Sequence, residues 1–234
     1  MKAILKRELR AYFQSPLGYV VIAAMFFFTN YYFFTYNLYN NTTNFSSLYS
    51  LLFSVVMFLV PVLTMRLMSE DKRSKVDQTL LTSPIMRIEI VLGKYLAALF
   101  VYLIAISGTL IDAFIVTYFA RPDWPVIIGN FIGLFMLGAT LIAICMFLSS
   151  LTESQVIAAI SGFAVSLFLI LIDALSYVVS NPFLQKFFSY VSFNDRYVPF
   201  TYGIIDLSNT LFFVSFTALF LCFTTVVLER SRWC

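Results

Sequence analysis

Apolar residues in this chain gather into six long runs, separated by shorter polar or charged breaks. The runs cover roughly residues 17–38, 48–68, 92–119, 126–149, 156–179 and 209–228. A helix needs about 20 apolar residues to cross a bilayer, so every run is long enough to span. The third exceeds the requirement, which predicts a span that tilts or protrudes. The pattern predicts an all-α polytopic membrane protein with six transmembrane helices in a single domain over residues 1–234. The first run is too long for the apolar core of a signal peptide and no A-x-A site follows it, so no cleavable leader is expected.

The segments between the runs carry a second layer of pattern. Leu5, Leu9, Tyr12, Phe13 and Pro16 recur at helical spacing among Lys2, Lys6, Arg7 and Arg10. This predicts an N-terminal interfacial helix over residues 1–16, with Ser15-Pro16 breaking it and turning the chain into the bilayer. The insert RLMSEDKRSKVDQTLLTSPIMRIEIVLGK, Arg66 to Lys94, holds six of the fifteen Lys and Arg residues and four of the twelve acids. Such a cluster cannot cross a bilayer and is too long for a simple turn, so residues 69–91 lie along one membrane face. Ser69 is expected to cap a helix whose first turn carries Glu70 and Asp71, with Asp71 and Lys75 paired at i, i+4. Val76, Leu80 and Leu81 then form an apolar patch, and Ser83-Pro84 stops this helix and starts the next. A short helix with an apolar tip and a charged flank suits docking in a cleft of another protein.

Two further breaks are informative. The turn from Ser149 to Gln155 is tight, lacks basic residues and carries Glu153; Ser150 or Thr152 is placed to start the fifth helix. The segment from Ser180 to Ser208 is long, aromatic and interrupted by proline, with Phe183, Leu184, Phe187, Phe188 and Val191 at helical spacing. It predicts a re-entrant or interfacial helix before the sixth span.

Composition strengthens the class and charge sets the orientation. Apolar residues make up 61% of 234 positions, charged residues 12%, and the mean hydropathy is +0.89. Soluble domains carry roughly 25% charge, so this chain lies far outside their range. With six spans, the N-terminal tail, the insert and the C-terminal tail share a face holding twelve basic residues, against Arg121, Lys186 and Arg196 on the other. That asymmetry predicts cytoplasmic termini and a cytoplasmic insert. The basic residues bracket apolar spans instead of forming a patch, so the net charge of +3 does not point to nucleic acid. Cys145 and Cys222 fall within spans and Cys234 ends the chain, so no disulfide framework is expected. The glycosylation-type triplets at Asn40, Asn41 and Asn44 read as ordinary loop chemistry.

Catalytic constellations are missing. The chain has no histidine, which removes Ser-His and Cys-His nucleophile pairs and His-ligated metal sites. Its one Gly-Lys pair, Gly93-Lys94, lacks the spacing of a phosphate-binding loop. Gly129 and Gly133 form a GxxxG, expected to serve packing within the subunit. Asp112 and Asp173 are the acids well inside spans, and carboxylates at that depth should face protein or water. They are the candidate pathway residues, and the candidate proton sites if the chain were a proton-coupled secondary transporter. A non-transporting scaffold that recruits a cytoplasmic partner through the insert is the other alternative.

The order of these parts resembles the membrane subunit of an ABC-2 type transporter. The stretches MKAILKRELRAYFQSPLGYVV and PVLTMRLMSEDKRSKVDQTLLTSPIMRIEIVLGKYLAAL are most similar to gliding-motility-associated permeases of the GldF type. Arg66, Glu70, Asp71, Thr79, Leu80, Ser83 and Pro84 match the family's block after span two, while Val76-Asp77-Gln78 departs from its usual Gly-Thr-Leu/Ile-Glu run. The resemblance implies a coupling helix in residues 69–91 and a second coupling turn after span four. ATPase contacts would fall on Glu70, Asp71, Lys72, Arg73, Val76, Thr79, Leu80 and Leu81, with Thr152, Glu153 and Ser154 as the second point. It also implies two copies of an ATP-binding-cassette ATPase, which would hold the ATP and Mg, and a second permease subunit, identical or different. An auxiliary gliding-motility-type membrane protein and a bacterial inner-membrane location complete what it implies. No cofactor is expected in this chain.

Overall fold

The computed structural model describes residues 1–75, 86–178 and 190–230, with the side chains of 173, 175–178 and 230 outside that description. All regular structure among the described residues is helical, and six helices are long and apolar enough to cross a membrane: Pro16–Leu38, Ser46–Arg73, Arg87–Phe119, Trp124–Leu151, Gln155–Ile172 and Leu207–Glu229. The protein is a multi-pass membrane protein with the architecture its hydrophobic pattern predicts.

The N-terminal helix α1 (Lys2–Gln14) ends where Ser15 adopts an extended backbone, and Pro16 opens α2 (Pro16–Tyr32). Proline at the first helical position needs no N–H partner, so the break and the restart share one residue pair. The first span finishes in a π-helical turn over Phe33–Leu38. Span two is α3 (Ser46–Thr64), followed by a turn and the five-residue α4 (Ser69–Arg73). Span three is divided, α5 (Arg87–Ile106) giving way to α6 (Gly108–Phe119) at Ser107, whose hydroxyl donates back to the Ile104 carbonyl at 2.6 Å. A serine bonding its own backbone beside a glycine is a recognised origin of such breaks, and the apolar run conceals it.

Span four, α7 (Trp124–Leu151), is the hub. It packs against spans two, three, five (α8, Gln155–Val178) and six (α10, Leu207–Arg230). It is apolar on every side, as a helix surrounded by other helices must be. Small residues let its neighbours close in. A Cβ built on Gly133 would lie 2.5 Å from Cβ of Phe200, and one on Gly129 would lie 2.7 Å from Cα of Gly203. The GxxxG therefore serves contact inside the subunit, as its sequence reading holds. Its partner is α9 (Phe193–Thr201), whose start is capped by the Ser192 hydroxyl accepting from the Asp195 N–H at 2.9 Å. Phe193, Tyr197 and Phe200 of α9 are buried among spans two, four, five and six, so the segment before span six is packed into the bundle. Phe183, Leu184, Phe187 and Phe188 lie outside the described residues.

Candidate functional site

The charged segments converge at one end of the bundle around Lys94. This lysine lies in the eighth position of α5 and is 2% exposed. Its Nζ sits 2.7 Å from Oδ2 of Asp71 and 3.2 Å from Oε1 of Glu8, and donates to the Leu67 carbonyl at 2.5 Å. Arg7 completes the cluster, with Nη2 at 2.6 Å from Glu8 and 3.1 Å from Asp71. Two cations and two anions make the group neutral, and each charge has a partner, which is the condition for burying charge without prohibitive desolvation. Burial works against the charge on Arg7, but its bonds to Glu8 and Asp71 outweigh that and hold the guanidinium above its ordinary value.

Helix α1 brings Glu8 to this point by burying the stripe Ile4, Glu8 and Tyr12 against α5. The stripe shares Tyr12 with the face read from the sequence, but Leu5, Leu9 and Phe13 of that face are only partly buried. Spacing i, i+4, i+8 places an acid in the middle of a buried row because α5 offers it a lysine. Gly93 permits the approach, since a Cβ there would meet Cγ2 of Ile4 at 3.0 Å. Tyr12 donates its hydroxyl to the Leu63 carbonyl at 2.9 Å, and burial pushes the phenol well above its ordinary value, so it stays a donor. Arg66 binds Glu70 at 2.8 Å and the Ser15 hydroxyl at 2.7 Å.

A second set of bonds ties the loop after span two to the end of span four. The Ser149 hydroxyl accepts the backbone N–H groups of Met68 and Ser69 at 3.2 and 3.1 Å and donates to the Met65 carbonyl at 3.1 Å. Lys72 donates to the Ser150 carbonyl at 2.5 Å. Two residues further on, the Thr152 hydroxyl accepts the Ser154 N–H at 3.2 Å and shapes the turn into span five, while Ser150 bonds back to Phe147. Arg87 pairs with Glu229, bringing the end of span six to the same end of the bundle.

Several expectations change. Ser69 does not cap α4 but is its first residue, with its hydroxyl donating back to Met65. Asp71 pairs with Lys94 and Arg7, not with Lys75, because both partners come from helices already fixed beside it. A helix continuous from Glu70 to Leu81 is also overturned: α4 ends at Arg73, and Lys75 has a positive φ of 56°. Glu70, Asp71 and Lys72 are partly buried on their own subunit, whereas Arg73 and Glu153 are exposed. Val76, Thr79, Leu80, Leu81, Ser83 and Pro84 lie outside the described residues. Asp112 is 2% exposed and faces protein, one of the two surroundings the sequence left open, and its Oδ2 has no hydrogen-bond partner among the described residues. The side chain of Asp173 lies outside the description.

Arg7, Glu8 and Lys94 went unnoticed as site residues in the sequence. The available signal was Lys94 itself, a lone cation inside the run from Ile88 to Ile106, since an ionisable residue at such a position implies a partner.

A family model described as "ABC-2 family transporter protein" matches residues 27–228. No curated protein matches the chain.

Proposed function

Since the chain belongs to the ABC-2 family of transporter proteins and is thereby a permease component of an ABC transporter, we propose that it forms half of an export pathway driven by a separate ATPase. In this reading two ATP-binding-cassette subunits hold ATP and Mg, and a second permease subunit, identical or different, supplies the other half. The charged end faces the cytoplasm of a bacterial inner membrane, in keeping with its twelve basic residues. A gliding-motility-type assembly is the narrower form of this proposal and rests on sequence resemblance alone.

One observation carries it. The described part of the first expected ATPase contact, Glu70 to Arg73, is linked to the end of span four just before the second, residues 152–154, because Ser149 and Ser150 accept hydrogen bonds from Met68, Ser69 and Lys72. Asp71 links the first contact to span three through Lys94. A push on α4 is therefore transmitted to spans three and four together, as rigid-body alternation between two membrane halves requires. Arg73 and Glu153 face outward and would meet the ATPase directly, together with Val76, Thr79, Leu80 and Leu81. Glu70, Asp71 and Lys72 hold the contact in place. Asp112 and Asp173 remain the candidate pathway acids.

The test is copurification. An ATP-binding-cassette ATPase should purify with the wild-type chain and show a hydrolysis rate that depends on it. Replacing Leu80 and Leu81 with Asp should remove the ATPase while leaving the permease in the membrane. Wild-type recovery of the ATPase with that double variant would rule out docking through this segment.

A further inference from the structure

At the opposite end of the bundle, an open cavity of about 380 Å³ lies between the end of span one and the end of span three. Its volume falls in the range of about 300–1,000 Å³ occupied by small-molecule sites. Ile115, Val116 and Phe119 form its apolar side, and Asn37, Asn41 and Thr42 its polar side. No charged side chain lines it among the described residues. Asn37 sits in the π-helical turn Phe33–Leu38, a rare geometry that concentrates at functional sites. Only 2% of Asn37 is exposed. Its amide nitrogen donates to the Thr42 and Asn44 carbonyls, both at 3.2 Å, which leaves its Oδ1 buried with no donor among the described residues. An orphaned acceptor of this kind costs free energy until a donor arrives.

We propose that this cavity binds a neutral, single-chain amphiphile whose head carries a hydroxyl, such as a monoacylglycerol. The acyl chain lies along Ile115, Val116 and Phe119, where Phe119 is 87% exposed and offers apolar surface at the mouth. The head hydroxyl donates to Asn37 Oδ1, and its remaining hydroxyl meets Asn41 or Thr42. The uncharged lining disfavours a phosphate head, which would enter without a counter-charge. This inference concerns a site on the subunit itself and does not depend on the exported substrate or on an ATPase.

The purified chain in phosphatidylglycerol–phosphatidylethanolamine nanodiscs, labelled with a diazirine-bearing monoacylglycerol, tests it. Label should map to the peptides containing residues 37–42 and 115–119. Monooleoylglycerol should displace it about tenfold better than methyl oleate, the margin that one hydrogen bond to a buried acceptor supplies. Ile115→Trp, at a half-exposed position, should fill the cavity and abolish labelling. Should that variant fold poorly, Phe119→Ala removes apolar wall at an exposed position and should weaken displacement severalfold. Equal competition by methyl oleate, or label spread evenly over lipid-facing positions such as Phe27 and Phe168, would overturn the proposal.

Discussion

Nζ of Lys94 and Oδ2 of Asp71 lie 2.7 Å apart, joining the third span to the short helix after the second in a position almost closed to solvent. With Glu8 and Arg7 they tie the N-terminal helix, the loop helix and span three together. The charged end is thus a joint whose parts are held by ion pairs and backbone bonds.

Lys94→Met leaves Glu8 and Asp71 short of a buried cation. Thermal unfolding in detergent should show a loss of about 3–5 kcal/mol, the usual cost of breaking one side of a buried pair. A double-mutant cycle with Asp71→Asn should give a coupling of about 0.5–3 kcal/mol. Strict additivity would mean that the two side chains act independently.

Gly93 is where α1 rests on α5. Gly93→Leu should overpack the contact with Ile4 at a cost on the order of 1–3 kcal/mol, and Ile4→Ala should recover part of it. The melting temperatures of the single and double variants decide this, and no recovery would show that the helices meet elsewhere.

Arg73 and Glu153 should separate from Asp71 in their effects. Arg73→Glu and Glu153→Lys alter exposed positions, so each should weaken ATPase copurification with an unchanged melting temperature. Asp71→Asn should lower the melting temperature instead, because its partners Lys94 and Arg7 belong to the same subunit.

Orientation is open to direct labelling. In a cysteine-free background, Ser74→Cys should resist a membrane-impermeant maleimide added to intact cells, and Tyr202→Cys should react. Both positions are exposed, at opposite ends of the bundle. External labelling of Ser74→Cys would reverse the proposed topology.

Asp112 buries a carboxylate oxygen that has no partner among the described residues. Asp112→Asn keeps its shape and removes the charge, so the variant should be at least as heat-stable as the wild type. A pathway role predicts altered transport despite intact assembly. Wild-type transport by the variant from about pH 5 to pH 8, a window that lies above the reference Asp value of about 3.9, would make the acid purely structural.

The sequence by itself determined the six spans, the break at Ser15-Pro16 and the grouping of charged segments at one end. Those features depend on transfer of apolar side chains to lipid and on local backbone restrictions, both of which act over neighbouring residues. It also placed Gly129 and Gly133 inside the subunit, though not against Phe200 and Gly203. Tertiary structure decided the rest. Glu8 is buried and Leu5 only partly so because the orientation of α1 follows the lysine on α5, a residue 86 positions away in the chain. Asp71 likewise pairs with two cations held by other helices and not with Lys75, which is four residues on but beyond the end of α4. Charge pairing over such distances is set by which helices touch, and in a chain whose helices are almost uniformly apolar the hydrophobic pattern does not carry that information.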